Sequence, residues 1–119
     1  EIRMNKIDKP WGYEIIWAKT KDYVAKIIFI APGHRLSKQY HNIKEETIYV
    51  LEGTLVNYDK ENNMSWHSPG QVLHVSPGQI HRFCAPDSEY VKIMEVSTNH
   101  LSDVIRLEDD YGRKQEKKE

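Results

Sequence analysis

Pro32-Gly33-His34-Arg35-Leu36-Ser37-Lys38-Gln39-Tyr40-His41-Asn42-Ile43-Lys44-Glu45-Glu46 is the stretch on which the fold turns. Pro32-Gly33 is a turn pair, because proline presets φ and glycine tolerates the left-handed backbone. Leu36 to His41 then reads as a short extended segment. In a strand, side chains two apart share a face, so Arg35, Ser37, Gln39 and His41 are expected to point together into the interior of a barrel. Glu46 opens the next strand, which places a carboxylate near an amide oxygen and an imidazole.

Outward from there, short runs rich in β-branched and aromatic residues recur between Gly, Pro, Asn and Asp, the pattern of an all-β sandwich or barrel. The clearest is Tyr23-Val24-Ala25-Lys26-Ile27-Ile28-Phe29-Ile30, bounded by Lys21-Asp22 on one side and Pro32-Gly33 on the other. Further strands are expected at Tyr13–Ala18, Thr47–Leu51, Thr54–Tyr58, Val72–Val75, Ile80–Cys84 and Tyr90–Val96. Asp59-Lys60-Glu61-Asn62-Asn63 reads as a hairpin loop, and Ser68-Pro69-Gly70 and Ser76-Pro77-Gly78 as tight turns. Eight short strands with little between them predict a jelly roll. The only segment read as helical is a turn at Leu101–Ile105. Residues 1–112 are expected to form one domain and 113–119 a charged tail too polar to pack.

The chain has 119 residues, with 17 Lys and Arg against 18 Asp and Glu, for a net charge of −1. That length suits one domain and leaves no room for a second catalytic module. Without a basic stripe, nucleic acid is an unsuitable partner. No apolar run approaches the roughly 18 residues that span a bilayer, and Glu1-Ile2-Arg3-Met4 lacks the apolar core of a signal peptide, so a cytoplasmic location is expected. A lone cysteine, Cys84, fits a reducing compartment and excludes a thiolate zinc site. The N-terminal strand around Tyr13–Ala18 is expected at a sheet edge, and edges seek partners, which predicts a homodimer.

His81, after Ser76-Pro77-Gly78-Gln79-Ile80, completes a ligand set with Gln39, His41 and Glu46. Two imidazoles, one carboxylate and one amide oxygen suit Zn²⁺ first, and also Mn²⁺, Fe²⁺, Co²⁺ or Ni²⁺, with positions left open for a substrate.

These residues resemble the two motifs of the cupin superfamily, a double-stranded β-helix. Gly33, His41, Glu46 and Gly53 match the first, with Gln39 at its first histidine. Gly70, Gly78 and His81 match the second, with Ser76 and Ala85 departing from it. A Gln-x-His pair is similar to the phosphomannose isomerase branch, which makes Gln39 a ligand candidate. Over residues 9–113 the chain resembles the C-terminal isomerase domain of the bifunctional mannose-6-phosphate isomerase/mannose-1-phosphate guanylyltransferase family. Pro10-Trp11-Gly12, Leu36-Ser37, His81-Arg82, Glu95-Val96 and Arg106-Leu107-Glu108-Asp109-Asp110-Tyr111-Gly112-Arg113 carry that likeness. Where the family has a run of histidines and an arginine, this chain reads His41-Asn42-Ile43-Lys44. Where Glu-His-Trp is usual, it reads Glu46-Thr47-Ile48.

The resemblance implies a metal-dependent isomerase that interconverts an aldose and a ketose through a cis-enediol. Mannose 6-phosphate and fructose 6-phosphate, or a related sugar, are the implied substrates. A base must reach the C1–C2 edge. Glu95 is the candidate, because period two places it with Val91 and Ile93 and opposite Lys92. Glu95 has a second reading as an orienter of His41 or His81. An anionic substrate end needs a cation: Arg113 matches the family motif best, with Arg106, Arg82 and Arg35 behind it. The alternative functions are a non-catalytic sugar-binding or regulatory cupin and an oxygen-using cupin, the latter disfavoured by Gln39.

Overall fold

The computed structural model describes residues 5–113, which form eleven strands and no helix. In chain order these are β1 (Asn5–Lys9), β2 (Gly12–Lys19), β3 (Tyr23–Ile30), β4 (Lys38–Tyr40), β5 (Glu46–Glu52), β6 (Leu55–Tyr58), β7 (Met64–His67), β8 (Val72–Val75), β9 (Arg82–Cys84), β10 (Val91–Thr98) and β11 (Ile105–Glu108). An antiparallel six-stranded sheet runs β1-β2-β3-β10-β5-β8. Two smaller sheets, β7-β6-β9 and β11-β4, are joined by bridges between Gln39 and His81 and between Arg35 and Cys84. The result is a double-stranded β-helix of the cupin type.

Period two explains why the strands face as they do. In β10, Val91, Ile93, Glu95 and Ser97 are buried while Lys92, Met94 and Val96 are more open. The core draws Ile28 and Ile30 from β3, Ile48 and Val50 from β5, Ile93 from β10, and Leu55 and Phe83 from the smaller sheet. Each of these side chains contributes about 1.5–3 kcal/mol by leaving water. Gly53 turns β5 into β6 at φ +78°, and a Cβ there would run into the carbonyl oxygen of Tyr90. Only glycine suits both demands.

All eight expected strands are present, and Tyr23–Ile30 and Val72–Val75 have the expected ends. The hairpin loop closes as read, with Asp59 N donating to Asn63 O at 3.0 Å. Three strands escaped the sequence reading: β1, β7 and β11. Two other expectations are corrected. Leu101–Ile105 is not helical: Leu101 and Ser102 lie in a turn, and Ile105 already pairs with Tyr40. Tyr13–Ala18 is not an edge, because β1 covers it from Asn5↔Ile16 to Lys9↔Gly12. The edge-strand route to a homodimer therefore loses its footing. β1 is the edge on that side of the six-stranded sheet and carries Lys6 and Asp8, charges that discourage further pairing. Of the expected tail, Arg113 belongs to the folded body, and residues 114–119 lie outside the described residues, as does Glu1–Met4.

No helix among the described residues is long and apolar enough to cross a membrane.

Candidate metal centre and cavity

His41 follows β4, Glu46 begins β5, and His81 sits just before β9. Strand pairing brings them together from segments 40 residues apart, because Gln39 and His81 exchange backbone hydrogen bonds of 3.0 and 2.9 Å. All three side chains are buried, and their ligand atoms lie within 4.8 Å of one another. His41 Nε2 is 3.1 Å and His81 Nε2 3.3 Å from Glu46 Oε1. Two ligands on a first-row ion with bonds near 2.1 Å sit about 3.0–3.4 Å apart, so this spacing is already that of a coordination sphere.

Proton positions point the same way. His41 Nδ1 lies 2.6 Å from the Asp103 carbonyl oxygen and His81 Nδ1 3.1 Å from that of Gln79. Carbonyls only accept, so both Nδ1 atoms carry a proton and each ring turns its Nε2 towards Glu46. His81 Nε2 is buried with no hydrogen-bond partner. Two ring nitrogens and a carboxylate that converge on one point fit a divalent metal ion.

Gln39 lies on the cavity wall, and its Oε1 accepts the Ser37 hydroxyl at 2.6 Å, leaving one lone pair on an oxygen that has two. Arg35 does not share its neighbours' inward face. It reaches Asp110 instead, with Nε 2.6 Å and Nη2 2.9 Å from the two carboxylate oxygens. Arg82 takes the same aspartate at 3.0 Å and Leu36 O at 2.9 Å. Neither arginine lines the cavity. A bidentate carboxylate is the strongest partner a guanidinium finds, and Asp110 holds Arg35 in that way while accepting a single bond from Arg82. Arg106 and Arg113 do line the cavity, and Arg113 also pairs with Asp109 at 2.8 Å.

Two residues absent from the sequence-derived set complete the site. Lys44 is buried with Nζ 3.1 Å from Glu95 Oε2 and 3.7 Å from Glu46 Oε2. The sequence reading counted it within a departure from the family, although it keeps a cation where the family has arginine. Asp103 accepts the backbone N–H groups of Asn42, Ile43 and Lys44 at 3.0, 2.7 and 2.9 Å. It had no signal, because its partners lie about 60 residues away in the chain.

The charges divide clearly. Burial opposes ionisation of Glu46, but Lys44 and hydrogen bonds from both histidines hold its carboxyl well below the usual range. Burial pushes the Glu95 carboxyl up and the charge of Glu46 adds to it, with Lys44 pulling back, to leave it at about 7. Burial works against the Lys44 ammonium, yet Glu95 and Glu46 more than offset it and raise its pKa.

Lys44 and Glu95 form part of the wall of a cavity of about 200 Å³. The three ligand residues lie just behind this wall, since Glu46 meets Lys44. Glu14 and Lys26, paired at 3.2 Å, stand on the opposite side of Glu95, with Lys26 its cross-strand partner. Lys9, Arg106 and Arg113 add three more cations to the wall, against Glu14 and Glu95 as its carboxylates. Such a lining suits an anionic ligand.

The mannose-6-phosphate isomerase C-terminal family model matches residues 2–109. Mannose-1-phosphate guanylyltransferase RfbM of Salmonella typhimurium is 26% identical over 110 residues, which is 90% of this chain and 23% of that protein. The chain spans about a quarter of the length of the curated relatives it matches. Among solved structures, the capsular polysaccharide assembling protein CapF of Staphylococcus aureus superposes with a TM-score of 0.77 at 16% identity, over 91% of this chain and 35% of that one. A sugar phosphate isomerase of the cupin superfamily from Silicibacter pomeroyi superposes with a TM-score of 0.66 at 19% identity, over 73% and 59% of the two chains. With a family match across nine-tenths of its length, the chain belongs to the mannose-6-phosphate isomerase C-terminal family.

Proposed function

We propose that the protein is a metal-dependent sugar-phosphate isomerase that moves a proton between C1 and C2 of an aldose and its ketose. The observation that carries this reading is Glu95, a carboxyl held near pH 7 on the wall of a cation-rich cavity, beside three convergent metal ligands. Mannose 6-phosphate and fructose 6-phosphate, or a related pair, fit the family and the positive lining. The Silicibacter sugar phosphate isomerase supports the same class of reaction on this fold.

His41, Glu46 and His81 would hold the ion, with the free lone pair of Gln39 as a further donor. When bound, the ion supplies a Lewis acid for the negative oxygen of a cis-enediol. Arg113, Arg106 and Lys9 attract the anionic end of the sugar. Glu95 takes the proton from one carbon and returns it to the other, a task for which a carboxyl near ambient pH is well matched. Lys44 holds Glu95 in place by its 3.1 Å contact and keeps Glu46 ionised as a ligand. Leu36, Leu101 and Val104 belong to the apolar part of the wall, with Trp11 and three isoleucines.

A second reading, a sugar-binding cupin without turnover, is favoured by one feature: the ligand residues lie behind the cavity wall and not on it. Solvent deuterium incorporation separates the two. Metal-loaded protein is incubated in D₂O with a panel of sugar phosphates and free sugars, with a chelated control. Wash-in at C1 or C2 with aldose-to-ketose conversion supports the isomerase and names its substrate. Ligand-induced stabilisation without exchange supports the binding reading.

A further inference from the structure

We propose that Asp103 is the positioning residue of the metal centre, orienting His41 and Lys44 together and tying both to the cavity wall. This rests on the metal-site reading of His41, Glu46 and His81. Asp103 acts on the 41–44 segment twice. Its main-chain carbonyl takes the Nδ1 proton of His41 at 2.6 Å, which fixes the tautomer and the ring. Its carboxylate gathers the next three N–H groups, Asn42, Ile43 and Lys44, at 2.7–3.0 Å.

The 41–44 segment lies between β4 and β5, where no ladder supplies partners for those N–H groups. One carboxylate therefore sets the path of the backbone that carries both a ligand and the buried ammonium. Losing it frees the backbone that delivers Lys44 to Glu95 and Glu46. Asp103 is itself flanked by Leu101 and Val104, two residues of the cavity wall. A ligand that presses on that wall bears on the same loop that orients His41.

A purely structural staple has a comparator in the same chain. Asp59 Oδ1 accepts the N–H groups of Glu61 and Asn63, both at 2.9 Å, in a hairpin that does not line the cavity. The experiment titrates Co²⁺ into the metal-free 119-residue chain and its D103A, D103N and D59N variants, following the visible d–d bands, with chelator competition for affinity.

D103A keeps the main-chain carbonyl on the His41 ring but frees the 41–44 backbone, and is expected to bind Co²⁺ about 10-fold more weakly, the low end of the effect of losing support behind a ligand, with altered bands. D103N keeps an acceptor oxygen but not the charge and is expected to lose less, while D59N matches the wild type in both affinity and bands. Wild-type affinity and bands in folded D103A, or in D103N should D103A not fold, overturn the proposal. An equal loss in D59N overturns it too, since any turn staple would then serve. Wild-type protein that binds no Co²⁺ sinks the metal reading itself, a result distinct from either of these.

Discussion

Lys44→Met isolates the buried charge at the centre of the site. Methionine keeps much of the aliphatic length and removes the ammonium. At an effective dielectric constant of 20, the attraction of Lys44 to Glu95 across 3.1 Å is about 5 kcal/mol, and to Glu46 across 3.7 Å about 4.5 kcal/mol. Burial of the ammonium offsets much of this, and removing one partner of such a group costs about 3–5 kcal/mol. In a domain of this size that lowers Tm by roughly 10–20 °C. The loss should depend on pH. Glu95 titrates at about 7 in the folded protein, above its ordinary value of 4.5. A carboxyl raised in this way contributes stability that is complete below its unfolded value and is lost as pH rises through about 7. Without Lys44 that loss continues to higher pH, because a protonated Glu95 needs no counter-ion and an ionised one has lost its own. Urea denaturation in EDTA should therefore show the full deficit at pH 8 and a smaller one at pH 5.5. Saturating Zn²⁺ should restore part of it by setting a positive charge beside Glu46. A variant within about 1 kcal/mol of wild type at pH 8, or equally weakened at both pH values, would refute the reasoning.

Glu95→Gln should lower deuterium exchange by about 10²–10⁴-fold while leaving Co²⁺ affinity within several-fold of wild type; loss of metal instead would make Glu95 an orienter. Arg113→Ala should raise KM for phosphorylated sugars well beyond its effect on the unphosphorylated ones, as measured by steady-state kinetics on both. Gly53→Ala should destabilise the fold by more than about 2 kcal/mol, since φ +78° alone costs roughly 1–2 kcal/mol for a residue with a Cβ and the Tyr90 carbonyl stands in its way; an unchanged denaturation midpoint would contradict this.

How much was legible followed from where the information sits. Tyr23–Ile30 announced itself because β3 is central and apolar on most of its length. β1 did not, since Asn5-Lys6-Ile7-Asp8-Lys9 is an edge strand and its charges serve to end the sheet, the opposite of strand propensity. β7 hid for a related reason: in Met64-Ser65-Trp66-His67 it is Met64 and Trp66 that face solvent, which inverts the usual reading of apolar residues as inward. His41, Glu46 and His81 were legible because each stands at a fixed distance from a turn glycine, and those glycines set the strand ends. Arg35 misled because its strand-like position carries it only to a bridge with Cys84, where Asp110 captures it from across the fold.

Lys44 and Asp103 mark the boundary of what periodicity can reach. Both lie in loops, where no period assigns a face, and each acts through partners far along the chain: Lys44 on Glu95, and Asp103 on residues about 60 positions before it. A buried lysine is improbable on burial statistics unless paired, so its presence requires two carboxylates that a linear reading treats as unrelated. The same reasoning runs in reverse. Once Glu46 and Glu95 are both buried carboxyls side by side, a fixed positive charge is needed, and among the residues between His41 and Glu46 only Lys44 can provide it. The departure from the family's arginine is then a change of cation rather than a loss of one. An ammonium is a single point charge without the fork that clamps two carboxylates in fixed planes, and Lys44 accordingly meets Glu95 more closely than Glu46. Lys44→Arg tests this difference: a fork that engages both carboxylates should stabilise the metal-free protein, whereas one too large for the space should destabilise it, and equal stability would mean that charge alone decides.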